Sequence, residues 1–338
     1  MRRATGVLVL AAVLAVAGGG LTARGAEAAT AAAAPAARPM AAYDWHQVGQ
    51  LSPATARRRF GFLRANGFRT VYLEAGGWVD AADQPLSSTV RRRWLNGIQR
   101  QLQAFVAAAR GYGLAVQVVG GGPTWTGELS YLGELLVKLV GGYNAAAPAE
   151  RLQGVQLDIE PYVEGGWHDD TSTSLRTYLT TVAGIVGAYR AQLRRPGNRG
   201  LQLGFAVPFW FDGEGDAPGP VLFNNATKSA VHHLIDLLAA LPGAYLVVMS
   251  YRNFTGGPDG SIAHAANELW YAHKVRARCG LLVGQQYGAV EPAFITFHGQ
   301  RRATFRRAAA QIGAAFGRYP QFRGVSVDDV DSYLAARP

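Results

Sequence analysis

The segment Gly154-Val155-Gln156-Leu157-Asp158-Ile159-Glu160-Pro161-Tyr162 interleaves two opposite chemical patterns at a period of two. Val155, Leu157 and Ile159 share one face; Gln156, Asp158 and Glu160 share the other. Successive side chains of a strand point to opposite faces, so the segment reads as a strand with one apolar side and one side bearing an amide and two carboxylates. Long helical patterns flank it on both sides, which implies a parallel strand covered by helices. Such strands are normally apolar on both faces. Buried carboxylates without partners are costly, so a pair placed there points to a site rather than to a solvated surface.

Working outward, strand and helix patterns alternate through the rest of the chain. Strands are expected at 41–48, 68–75, 114–119, from 154, at 201–207, 245–251, 281–286 and 322–328. Helices are expected at 52–66, 88–110, 129–140, 174–193, 229–241, 262–276 and 303–316, with a short closing helix at 331–336. Eight strand and helix pairs in this length define an α/β fold, a single-domain (β/α)8 TIM barrel. The alternative is an open doubly wound sheet. It lacks support, because no glycine-rich phosphate loop of the expected form follows the first strand.

The first residues describe an export signal spanning 1–28: Arg2 and Arg3, an apolar run from Gly6 to Gly18 too short for a membrane span, and Ala26-Glu27-Ala28 as a small-x-small cleavage site. Residues 29–39, almost all Ala with Pro and Arg, read as a disordered linker. The barrel domain then occupies 40–338, and the expected location is secreted or cell-wall associated, with no stable membrane association after cleavage. Cys279 is the single cysteine, so no intrachain disulfide can form. Its expected role is that of a small buried hydrophobe.

The formal charge of +10 raises nucleic acid as a partner. Only Lys138, Lys228 and Lys274 are lysines, and the arginine runs at 57–59, 91–93 and 301–302 fall on helical patterns, where a solvated face is the default. No nucleic-acid module or zinc-finger spacing is present, so no nucleic-acid partner is expected. The pattern calls for no metal and no cofactor.

Active sites of barrels collect where strands end at the carboxyl-terminal mouth. The strand ends offer Asp44, Trp45 and His46 from the first strand, Glu74 from the second, and Gln156, Asp158 and Glu160 from the fourth. Trp210 follows the fifth, Tyr251 and Asn253 the sixth, Gln286 the seventh, and Asp328 with Asp329 the eighth. Carboxylates, amides and large aromatics suit a poly- or oligosaccharide, with rings stacking on the aromatics and carboxyls supplying acid and base. Trp167 is expected at the surface or in a lid and His46 as a hydrogen-bonded structural residue, while capping of the last helix is the alternative to a site role for the Asp328-Asp329 pair. Asn225-Ala-Thr227 and Asn253-Phe-Thr255 match glycosylation acceptors.

Gln156-Leu-Asp158-Ile-Glu160 resembles the end of the Asp-x-Asp-x-Glu signature on strand four of family 18 glycoside hydrolases, the chitinase-type enzymes. Met249-Ser250-Tyr251 resembles their Met-x-Tyr on strand six. The resemblance covers about ten residues in motif and implies Glu160 as general acid, Asp158 as the residue orienting a substrate acetamido group, and Tyr251 as support for the intermediate. The chain departs from the pattern at Gln156, where the first acid of the signature would stand. It departs also at Arg252, after the strand-six Tyr, and at Asp328, in place of the strand-eight Trp.

A second reading uses two protein carboxylates. Retaining barrel enzymes of the larger clan place the nucleophile at the end of strand seven, where this chain has Gln286. Asp328, Glu74 or Asp44 would then be the second carboxyl. A separation of about 5 to 5.5 Å would indicate retention, and about 6.5 to 9.5 Å inversion. Asp158, about 6 to 7 Å from Glu160 along the strand, is expected to raise the pKa of Glu160. The expected function is hydrolysis of a glycosidic bond, the alternative a catalytically inactive carbohydrate- or cell-wall-binding barrel favoured by the amides Gln156 and Gln286.

Overall fold

A computed structural model describes residues 38–85, 87–164, 167, 169–213 and 218–338. The expected export signal, nearly all of the expected linker and His168 lie outside the described residues. Eight strands form a closed, all-parallel barrel: β1 (Met40–Asp44), β2 (Phe68–Glu74), β3 (Ala115–Gly120), β4 (Gly154–Leu157), β5 (Gln202–Pro208), β8 (Ala244–Met249), β9 (Gly280–Gln286) and β10 (Phe322–Asp328). Two further strands, β6 (Val221–Phe223) and β7 (Ala226–Lys228), make a small antiparallel ribbon outside it. Pairing of β1 with β10 closes the ring, and β4 and β10 stand on opposite sides of it.

The helices follow from local chemistry. In α1 (Pro53–Ala65), Ser52 accepts the Thr55 N–H and Pro53 occupies the first turn, where its missing N–H costs nothing. Ser87 and Asp170 cap α3 (Ser88–Gly111) and α5 (Thr171–Leu193) in the same way. The remaining helices are α2 (Gly76–Asp83), α4 (Tyr131–Ala146), α6 (Ala230–Leu238), α7 (Ala263–Lys274), α8 (Arg302–Phe316) and α9 (Val330–Ala335). No described helix is long and apolar enough to cross a membrane.

Two elements depart from the sequence expectation. Helix α2 occupies the stretch between the strand expected at 68–75 and the helix expected at 88–110, where no element was expected. The Glu74 carboxylate accepts the Gly76 N–H at 2.5 Å, and an acid at a helix start offsets the poor propensity of glycine there. The β6–β7 ribbon was not expected either. Its turn is Asn224-Asn225, both at positive φ (51° and 60°), a conformation asparagine tolerates.

Apolar packing splits into two clusters. The larger lies between barrel and helices and includes Val155, Leu157 and Ile159. The smaller fills the barrel interior with Ala41, Tyr43, Tyr72, Val119, Tyr245, Val247 and Leu282. That interior is tied by polar bonds: Tyr245 donates to Gln117 Oε1 at 2.8 Å, Gln117 to Gln202 at 2.8 Å, and Gln156 Nε2 to the Tyr43 hydroxyl at 2.9 Å. Gly204 makes room for this layer, since a Cβ there would lie 1.9 Å from Gln156 Oε1 and 2.3 Å from the Tyr245 ring. Gln156 is thus fully buried beneath the mouth. Cys279 is buried too, and burial pushes its thiol up to about 11.

Candidate active site at the barrel mouth

Strand β4 ends at Leu157, and the chain runs on through Asp158, Ile159 and Glu160 before turning into a short helix at Pro161–Val163. The alternation carries past the last ladder bond: Ile159 is buried among the helices, while Asp158 and Glu160 sit half-buried. Asp158 is anchored through its backbone, its N–H donating to the Gly120 carbonyl at 3.0 Å. Burial pushes the Asp158 carboxyl well above the ordinary range, and the nearby Glu160 and Asp328 carboxylates push it further. Glu160 is also raised by burial, against which the hydroxyl of Tyr162, donating to Glu160 Oε1, favours the ionised form. The two carboxyls stand close enough to repel each other, so ionisation of either disfavours ionisation of the other.

From the opposite strand, Asp328 closes the group. Trp45 Nε1 donates to its Oδ1 at 2.6 Å and Gln286 Nε2 to its Oδ2 at 2.8 Å. Burial raises Asp328 to about 6, with Asp329 and Glu160 adding to the shift and the two N–H donors opposing it. Tyr251, after β8, lies within the field of all three carboxylates, which together with burial push its phenol well up. Tyr251, Asp158, Glu160 and Asp328 therefore form one cluster, fed by three strands.

Aromatic rings border it on two sides. Trp45 is 42 % exposed and stacks on Tyr43, with ring centres 5.5 Å apart. Across the mouth, Trp210 packs edge-on against Tyr162 at 5.0 Å, and Trp167 stands behind at 6.4 Å from Trp210 while stacking on Phe211. Trp167 is only 4 % exposed. That corrects the expectation of a surface or lid residue: the ring is a supporting wall, held by Tyr162, Trp210 and Phe211.

Other expected residues are turned toward protein partners. Asp44 is buried and accepts from His46 at 2.9 Å while pairing with Arg59 at 3.2 Å; Arg59 also pairs with Asp331. Asn253 donates to the carbonyls of Ala293 and Thr296 at 2.9 and 3.0 Å and so pins a loop, which leaves its amide no freedom as a glycan acceptor. Glu74 is raised by burial and holds the start of α2 with one oxygen. Asp329 caps α9 through the Ser332 N–H at 2.8 Å, whereas Asp328 does not share that task. His46 is hydrogen-bonded, as expected.

Gln286 also spends its amide inside the protein. Its Oε1 accepts the N–H groups of Tyr287 and Gly288 at 2.8 and 2.6 Å, which aims its Nε2 at Asp328. Arg252 leans away from the cluster onto Asp259 and lies over the rings of Phe209 and Phe294. Beside Trp45 a cavity of about 310 Å³ opens, lined by His46, Gln50, Arg59, Asp329 and Asp331 among others; none of Asp158, Glu160 or Tyr251 lines it. Sequence reasoning did not assign a role to Tyr162. Its signal was a tyrosine two residues beyond Glu160, visible only once the turn at Pro161 brings the hydroxyl back.

The chain matches no family model and no curated protein. Among solved structures it resembles a protein described as GH5_18 from Streptomyces cattleya in complex with GlcNAc, with TM-score 0.53 and 17 % identity over 86 % of this chain and 70 % of that one. An exo-beta-1,4-mannosidase from Opitutaceae bacterium strain TAV5 gives TM-score 0.48 and 15 % identity over 86 % of this chain, which spans 51 % of the mannosidase. A plant class V chitinase mutant from Cycas revoluta gives TM-score 0.48 and 14 % identity over 87 % and 95 % of the two chains. At this level of identity the likeness shows the fold, a (β/α)8 barrel.

Proposed function

We propose that this protein hydrolyses a glycosidic bond of a poly- or oligosaccharide, with Glu160 as the general acid. The observation that carries this reading is the placement of Glu160: a half-buried carboxyl, raised by burial, at the mouth of the barrel between an exposed indole and two further carboxyls. A carboxyl whose pKa is raised holds its proton more readily and can deliver it to the oxygen of the leaving sugar. Trp45 offers a face on which a pyranose ring can stack, and Trp210 borders the other side. Tyr251, among the three carboxyls, is placed to donate a hydrogen bond to negative charge at the centre of the site.

Binding without turnover drew its support from the two amides. Gln156 is wholly buried and bonded to Tyr43, and Gln286 is occupied by Asp328 and two backbone N–H groups. Neither is free to replace a catalytic carboxylate at the sugar. Export is part of the proposal as well, resting on Arg2, Arg3 and the apolar run that follows.

The test is Glu160→Gln against wild type on a polysaccharide panel, scoring new reducing ends and bound ligand separately. Loss of a general acid lowers the rate by about 10²- to 10⁴-fold, so product should vanish in the variant while binding persists. Equal binding with no product from either protein would sink the enzymatic reading.

A further inference from the structure

We infer that Asp328 is the second catalytic carboxylate, the base that activates water on the face of the sugar opposite Glu160, and that Gln286 and Trp45 position it. This rests on the hydrolytic reading above and names the partner of the acid. Strand β9 ends in the amide Gln286, which cannot take a proton from water, so a second carboxylate has to come from another strand end. Asp44 is committed to Arg59 and His46, and Glu74 holds the start of α2 with one oxygen and feels the charge of Asp80 rather than that of the central carboxyls. Asp158 neighbours Glu160 on the same strand end and so lies on the same side of any sugar between β4 and β10. Asp328 ends β10, the strand opposite β4, and lies within the field of Glu160.

The surroundings of Asp328 are built to hold it. Each oxygen receives one N–H, from Trp45 at 2.6 Å and Gln286 at 2.8 Å, and Gln286 is itself locked by the Tyr287 and Gly288 amides. These donors fix the carboxyl plane, and each oxygen keeps a lone pair for water. The groups acting on its charge are Asp329, Glu160, Trp45 and Gln286, and their balance with burial sets it near 6, ionised at neutral pH and basic enough to take a proton. In the step, the Glu160 proton moves to the glycosidic oxygen as the bond from that oxygen to the anomeric carbon breaks. Water bonds to that carbon, and its released proton passes to Asp328. With acid and base on opposite strands, the water enters on the face of the sugar away from the leaving group, and the product anomer is inverted.

The experiment uses wild type, Asp328→Ala, Asp328→Asn and Gln286→Ala on β-1,4-linked glucan, mannan, xylan and N-acetylglucosamine oligosaccharides, with dinitrophenyl glycosides of the same sugars for rescue. Wild type should release the inverted anomer by proton NMR. Asp328→Ala should lose about 10²- to 10⁴-fold in rate and regain at least tenfold with azide, which attacks without a base; if the alanine variant fails to fold, the isosteric Asp328→Asn carries the same loss. Gln286→Ala removes a donor that favours ionised Asp328, so the acidic limb of kcat/KM should move to higher pH, a shift that a merely structural role would not cause. A retained anomer, or an Asp328 variant within threefold of wild type, overturns the assignment while leaving Glu160 as acid intact. Absence of product from wild type on every sugar overturns both.

Discussion

At the scale of single residues, the site turns on which carboxyl holds a proton. Glu160 is raised by burial and restrained by the Tyr162 hydroxyl, so Tyr162 tunes the acid. Tyr162→Phe removes a bond that favours the ionised form, and the pKa of Glu160 should rise. With Glu160 as the protonated acid proposed above, the alkaline limb of kcat/KM should then move to higher pH; carbon-13 NMR titration of the carboxyl gives the same answer without turnover. A limb that stays in place would separate Tyr162 from the acid. Asp158 and Glu160 were legible in the sequence because a period of two survives the end of the strand. Tyr162 was not, because its contact depends on the turn at Pro161, where periodicity stops. Asp44 and Asn253 mark the converse limit: their positions at strand ends were readable, but partners 15 and about 40 residues away, Arg59 and the loop at Ala293 and Thr296, claim their polar atoms.

Among elements, the strands and the long helices were readable because each buries a periodic apolar face, as Val155, Leu157 and Ile159 do. The pieces that escaped, α2 and the β6–β7 ribbon, are held by local polar contacts with little periodicity, Glu74 on the Gly76 N–H and the Asn224-Asn225 turn. The junction of β3 and β4 is where an element fixes the site. Gly121, at φ 154°, lets the chain leave β3 in contact with Asp158, and a Cβ there would fall 2.1 Å from the Asp158 carbonyl oxygen. Backbone meets backbone at that point, so no side-chain rotation relieves it. Gly121→Ala should cost about 1–3 kcal/mol of stability and displace Asp158, lowering ligand affinity in calorimetry. A variant with unchanged melting temperature and affinity would show that the end of β4 is not held this way.

For the whole molecule, the charge distribution runs against the average. The chain carries +10 overall, yet the mouth gathers Asp158, Glu160 and Asp328, and no Lys or Arg ion pair to any of the three is found among the described residues. Such a site is held at the expense of stability, a common trade at functional centres. A carboxyl whose folded-state pKa is raised binds its proton more tightly folded than unfolded, so its contribution is complete below the unfolded value of about 4 and is lost as pH rises through the folded value. Asp158, raised well above that range, and Asp328, at about 6, both act in this sense. Exposed pairs such as Arg252 with Asp259 act in the opposite sense at lower pH, but surface ion pairs contribute little. Asp158→Asn removes the buried repulsion at constant shape. The variant should therefore match wild type near pH 4 and melt a few degrees higher at pH 8, a gap of about 2–4 °C for each kcal/mol in a chain of this size. Melting curves at pH 4, 6 and 8 read the outcome: a gap that opens with pH places the strained proton on Asp158, whereas one that is constant or closes assigns the stability change to packing.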